Sequence, residues 1–126
     1  MSVHTFKALL PMPPSVNHYY RRRGSHVYLS DEARVFRRDV ILKTIGKIPN
    51  KNKRWFGKEQ RLAMTVTLYP TNRRSFDIDN RLKALLDVLQ EIGVYHNDNQ
   101  IDDLRVVRGA VVKRELGFCV VEVKPC

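Results

Sequence analysis

No run of about 18 apolar residues occurs in the 126-residue chain, so no segment is expected to span a bilayer. The opening Met-Ser-Val-His-Thr-Phe-Lys has no basic stretch followed by an apolar one, so no secretory signal is expected. Cysteine is nearly absent. Cys119 and Cys126 are too few to staple a fold, and Cys119 sits inside an apolar run, which points to a reduced, cytoplasmic protein. The four histidines, His4, His18, His26 and His96, lack zinc spacing, and neither a glycine-rich phosphate loop nor a nucleophile elbow is present. Repeats, heptads and low-complexity segments are missing too. What remains is one domain, residues 1–126, with 43% apolar and 29% charged residues, a globular composition too short for two independent cores.

Positive charge is what the chain has in excess. Its formal net charge is +10, and that excess implies a polyanionic partner, nucleic acid first. The charge is unevenly spread: residues 1–76 carry a net +12, whereas residues 77–126 carry a net −2. A plain nucleic-acid clamp gains nothing from carboxylates near phosphates, because they repel. A metal-dependent phosphoryl-transfer enzyme needs them, although an acidic half can also be a solvated face.

Alternation of apolar residues predicts a strand over Thr5–Leu10, followed by a proline-stiffened loop from Pro11 to Asn17. Tyr19 to Gly24 mixes aromatic and basic residues. Ser30 followed by Asp31 and Glu32 is a helix start, with Phe36, Val40, Ile41 and Thr44 as its inner face and Gly46 and Pro49 ending it. Asn50 to Arg61, around Trp55 and Phe56, reads as an exposed loop. Leu62 to Tyr69 alternates as a strand that Pro70 stops. A second helix runs from Asn80 to Ile92, with Leu82, Leu85, Leu86 and Leu89 inward and Gly93 as its stop. Two strands follow, Leu104–Val112 and Leu116–Val123, joined by a turn near Arg114–Gly117. The expected fold is α+β in the order β-α-β-α-β-β, a mixed sheet with helices packed on it.

The segment Arg73-Arg74-Ser75-Phe76-Asp77-Ile78-Asp79-Asn80-Arg81-Leu82-Lys83 concentrates the chemistry. In extended chain, Asp77 and Asp79 point the same way, and Lys83 and Asp87 then continue a polar row along the helix. Adjacent carboxylates repel, and a hard cation such as Mg²⁺ relieves that repulsion. A further acid, Asp98, lies in the polar loop after Gly93 and joins the first two only if that loop runs back. Taken singly, Asp79 is equally a helix cap, Lys83 an ordinary i,i+4 ion-pair partner, and Arg21–Arg23 a solvated loop; Tyr19 and Tyr20 beside those arginines favour nucleic-acid contact. Asp102 and Asp103 read as solvation at a strand entry.

The runs Asp77-Ile78-Asp79-Asn80-Arg81-Leu82-Lys83-Ala84-Leu85-Leu86-Asp87, Gly93-Val94 and Asp98-Asn99-Gln100-Ile101 closely resemble RusA-type Holliday-junction resolvases. So do the earlier Leu10-Pro11-Met12-Pro13-Pro14-Ser15-Val16-Asn17-His18-Tyr19-Tyr20 and Tyr28-Leu29-Ser30. The resemblance implies a homodimeric, Mg²⁺-dependent endodeoxyribonuclease, often phage- or prophage-borne, that nicks four-way DNA junctions symmetrically and leaves 5′-phosphate and 3′-hydroxyl ends. Mn²⁺ is expected to substitute for Mg²⁺. The family's catalytic acids fall on Asp77, Asp79 and Asp98, which would hold the metal, and its catalytic lysine on Lys83. Asn97 stands where many members carry an acid. Tyr19, Tyr20, Arg21, Arg22, Arg23, Arg73 and Arg74 are the expected DNA contacts, with Arg37, Arg38, Lys51, Lys53 and Arg54 as further basic residues along the arms. The alternatives are a non-catalytic DNA-binding or replication-accessory protein, and a nuclease acting on flaps or forks.

Overall fold

Every second residue of three strands is driven into one core. In a computed structural model of the chain, which describes residues 5–16, 19–48, 54–73 and 78–126, β1 (Phe6–Pro11) buries Phe6, Ala8 and Leu10. Strand β4 (Leu62–Tyr69) buries Leu62, Met64, Val66 and Leu68, and β6 (Phe118–Pro125) buries Cys119, Val121 and Val123. The alternate positions are half-buried or exposed, as a period of two requires when one sheet face is covered. The sheet order is β1-β6-β4-β5, with β5 (Ile101–Arg108) parallel to β4 and the other pairs antiparallel. The expected mixed sheet is therefore present.

The helices follow their sequence signals. Ser30 caps α1 (Asp31–Thr44) by accepting a hydrogen bond from the Ala33 N–H at 3.1 Å, a contact that contributes about 1 kcal/mol. Helix α2 (Leu82–Ile92) buries Ala84, Leu85, Val88 and Leu89, while Leu82 and Leu86 pack partly against the core. It ends at Gly93, whose φ of 104° lies in the left-handed region that glycine enters without strain. As the crossover between parallel strands β4 and β5, α2 places its start and its end at opposite ends of the sheet.

Four expectations need correction. Residues 20–29 form a hairpin, β2 (Tyr20–Arg23) and β3 (His26–Leu29), so the order is β-β-β-α-β-α-β-β. The hairpin is a separate two-stranded sheet, and its polar residues carry no buried alternation to betray it. Phe56 is buried and Trp55 half-buried, not exposed. Their backbone N–H groups donate to Gly93 O (2.8 Å) and Val94 O (3.1 Å), and Trp55 meets Phe6 edge-on. Strand β5 runs Ile101–Arg108 rather than Leu104–Val112: it starts earlier because an edge strand tolerates Asp102 and Asp103, and it stops at Gly109. A register shift there pairs Leu62 with Ile101 but Ala63 with Asp103, leaving Asp102 bulged toward Arg61. Strand β6 begins at Phe118, and Leu116 stays in the exposed turn. Among the described residues no helix is long and apolar enough to cross a membrane.

Candidate active site and nucleic-acid interface

Helix α2 carries the polar row. Asp79 opens a single 3₁₀ turn, Asp79–Arg81, that leads into the helix. The N-cap position is Ile78, and no side chain makes a capping hydrogen bond there, so the Asp79 carboxylate is exposed and not spent as a cap. Arg81 ties this end of the helix to the proline-rich loop by donating to Pro13 O at 2.9 Å, and burial lowers its pKa. One turn on, Lys83 Nζ lies 3.2 Å from Asp87 Oδ1. That hydrogen bond, with weaker help from Tyr20 and Asp98, raises the lysine pKa and keeps it cationic at neutral pH.

Asp98 lies past the other end of α2, in a 3₁₀ turn, Asp98–Gln100, that is held from several sides. Gln100 is buried. Its Oε1 accepts from the His96 N–H (2.8 Å) and the Asn97 N–H (3.0 Å), while its Nε2 donates to Gly57 O and Gln60 O, both at 2.9 Å. Asn97 Oδ1 accepts from the Asn99 N–H at 2.9 Å, completing a capping box. The Asp98 N–H itself donates to Gln90 Oε1, in the last turn of α2, at 3.1 Å. Arg54 donates to the Gln90 carbonyl. The backbone beneath the Asp98 carboxylate is thus fixed before any ligand arrives.

Between these ends lies a cluster of phenols and charges. Tyr19 is buried and its pKa is pushed up to about 12, first by burial and then by the negative fields of Asp87, Tyr20 and Glu91, which Arg37 opposes. Tyr95 is raised by burial with help from Asp98 and Asp87, and its hydroxyl donates to Leu86 O at 2.8 Å. Lys83, Asp87, Asp98, Tyr19 and Tyr20 therefore share one electrostatic neighbourhood. Asp79 precedes the 11 residues of α2 and Asp98 follows them. Asp77 and Arg74 lie outside the described residues, as do Lys51 and Lys53. Among the described residues no three His, Cys, Asp or Glu side chains cluster as a metal would need.

The basic residues divide into two groups. Arg21, Arg22 and Arg23 are exposed on the hairpin and Arg73 on the loop after β4, all free to face a polyanion. Three others are committed to the fold: Arg37 binds Glu91 across α1 and α2, Arg38 pairs with Asp39, and Arg54 reaches Gln90. Sequence reasoning missed Gln100 and Gln90 as positioning residues. The pattern Asn97-x-x-Gln100 is the capping-box signal that identifies the first, whereas nothing local marks the second.

A family model described as Endodeoxyribonuclease RusA matches residues 11–124. A crossover junction endodeoxyribonuclease rusA of Enterobacteria phage HK97 is 37% identical over 123 residues, covering 97% of this chain and 98% of the relative. Proteins of the same description from Enterobacteria phage 82 and Escherichia coli K12 are each 31% identical over 111 residues, covering 88% of both chains.

Proposed function

The chain belongs to the endodeoxyribonuclease RusA family, and from that premise we propose that it resolves four-way DNA junctions in recombination and repair by paired, symmetric nicks. It is a metal-dependent endodeoxyribonuclease. The observation that carries the reading is the family match over residues 11–124, which takes in Asp77, Asp79, Lys83 and Asp98 together.

The residues suit a hard divalent cation in kind, because Asp77, Asp79 and Asp98 offer carboxylate oxygens of the sort Mg²⁺ prefers, and Mn²⁺ accepts the same donors. A metal held there supplies charge for the phosphodiester and a water of lowered pKa. The chain's own groups do the rest. Lys83 keeps its proton through Asp87 and presents a cation to the scissile phosphate. Gln100 and Gln90 hold the turn beneath Asp98, so that its carboxylate needs little reorganisation. Tyr19, Tyr20, Arg21–Arg23, Arg73 and Arg74 contact DNA, with phosphate contacts that give affinity without sequence information.

A homodimer is part of the same proposal. A junction has two equivalent strands to cut, and a two-fold pair of subunits matches that symmetry. The exposed Leu104 and Val107 on the open edge of β5 are apolar surface for a second copy to cover. A cytoplasmic setting fits two free cysteines, one of them buried.

The test is cleavage of a synthetic four-way junction, each strand 5′-labelled in turn, with and without Mg²⁺, beside a linear duplex. Paired nicks that require Mg²⁺ and spare the duplex support the reading; cutting confined to flaps or forks, or tight binding without a nick, overturns it. Sedimentation at twice 14.7 kDa supports the dimer, and an active monomer refutes it.

A further inference from the structure

The β2–β3 hairpin has two faces of different character. Its register pairs Arg21 with Tyr28 and Arg23 with His26, and paired residues share a face with their neighbours two positions along. One face therefore holds Arg21, Arg23, His26 and Tyr28. The other holds Tyr20, Arg22, Val27 and Leu29, of which Leu29 packs on the core and Tyr20 meets the buried Tyr19 edge-on, with ring centroids 4.8 Å apart. The ribbon is anchored at its base, where the Ser30 N–H donates to Tyr19 O at 3.0 Å, and turned at its tip by Gly24, whose φ of 60° suits the first position of a two-residue hairpin loop.

On the first face Arg21, Arg23 and His26 are exposed and Tyr28 is half-buried. On it the His26 and Tyr28 rings stack, with centroids 6.3 Å apart and planes within 21°, beside two guanidinium groups. Among the described residues no carboxylate pairs with Arg21, Arg22 or Arg23. A lone two-stranded ribbon carrying like charges is marginal in water, and a polyanion relieves the repulsion. Stacked rings beside arginines are what a backbone with an unstacked base requires. An intact duplex offers phosphates but no free base face, whereas a branch point offers both. Tyr20, at the foot of this ribbon, is among the groups whose charge bears on Lys83.

We propose that the Arg21–Arg23–His26–Tyr28 face is the surface that receives the branch point of the DNA, the arginines meeting phosphates and the His26–Tyr28 pair stacking on a base exposed there. This rests on the junction-resolving reading above, and it adds His26 and Tyr28 as determinants of selectivity for branched over linear DNA.

The experiment measures binding of a four-way junction carrying 2-aminopurine at the branch, and of a matched duplex, in Ca²⁺ without Mg²⁺. Wild type, Tyr28→Leu, Tyr28→Phe and His26→Ala are compared, with circular dichroism confirming that each is folded. Tyr28→Leu is expected to weaken junction binding about tenfold and abolish the fluorescence change, with duplex affinity within about twofold of wild type. Tyr28→Phe keeps the ring and should behave as wild type, and His26→Ala should fall between. Equal wild-type affinity for junction and duplex defeats the junction reading and this role together. A wild-type preference that Tyr28→Leu and His26→Ala leave intact, or an equal loss on both DNAs, defeats the hairpin proposal alone.

Discussion

The turn that carries Asp98 and the hairpin that carries Arg21–Arg23 solve opposite problems. The first is clamped by Gln100, Asn97 and Gln90 through hydrogen bonds of 2.8 to 3.1 Å, with every polar atom of the Gln100 amide engaged from both sides. The second is a ribbon outside the main sheet whose arginines have no carboxylate partner among the described residues. A group that must meet a reacting phosphate gains from being fixed in advance; a group that must follow a bent polyanion gains from being left unsatisfied.

The sharpest break in this contrast is expected at the carboxylates. Asp79→Asn and Asp98→Asn should each abolish cleavage while sparing or tightening junction binding, since each removes a charge that repels phosphate. Gel shift and nicking on the same samples check this, and loss of binding with unchanged cleavage per bound complex would refute the assignment.

The next effect falls on the clamp. Gln100→Leu leaves two part-buried N–H groups and two carbonyls without their partner, so stability should drop by about 1 to 2 kcal/mol and cleavage by about 10- to 100-fold. Gln100→Glu keeps the acceptor and loses the donors, and should lie between the two. Thermal melts and Mg²⁺ titration by calorimetry distinguish a lost metal site from simple unfolding.

On the hairpin the consequence is electrostatic. Each Arg21→Gln, Arg22→Gln or Arg23→Gln substitution that removes a phosphate contact should flatten the salt dependence of log K by about 0.9, with an unchanged melting temperature. A steep drop in stability would mean that these arginines hold the fold.

The smallest effect is on the acid limb. The bond from Arg61 holds the Asp102 carboxyl below its ordinary value, and both side chains are half exposed. A carboxyl depressed by folding stabilises above its unfolded pKa, and that contribution disappears as the pH falls through the folded value. Melting temperature followed downward from pH 5 should therefore fall slightly less steeply in Asp102→Asn than in wild type.

How much of this was legible depended on whether burial wrote a period into the chain. Leu62–Tyr69 has one face in the core and reads as a strand at sight; Ser30 and Gly93 mark helix ends by chemistry that acts locally. The hairpin has no buried stripe, so only Gly24-Ser25 between two short runs signals it, and three consecutive arginines hide even that. Phe56 looked exposed because its neighbours are basic, yet its backbone is drawn in by Val94, 38 positions away. Long-range partners of that kind leave no local trace. Within the candidate site, the acids and Lys83 were visible as residue types at family spacing. The hold of Gln100 and Gln90 on the turn that carries Asp98 was not, because Gln90 reaches it from another element.

The position of β6 bears on when the molecule can exist at all. It is the last strand of the described chain, yet it lies between β1 and β4 and pairs with both. During synthesis β1 emerges first and has no neighbour, and it waits until residues 118–125 have cleared the ribosome before the sheet can close around it. A sheet built in this order stays open between β1 and β4 until β6 arrives, so every contact that β1 makes within it is long-range in sequence.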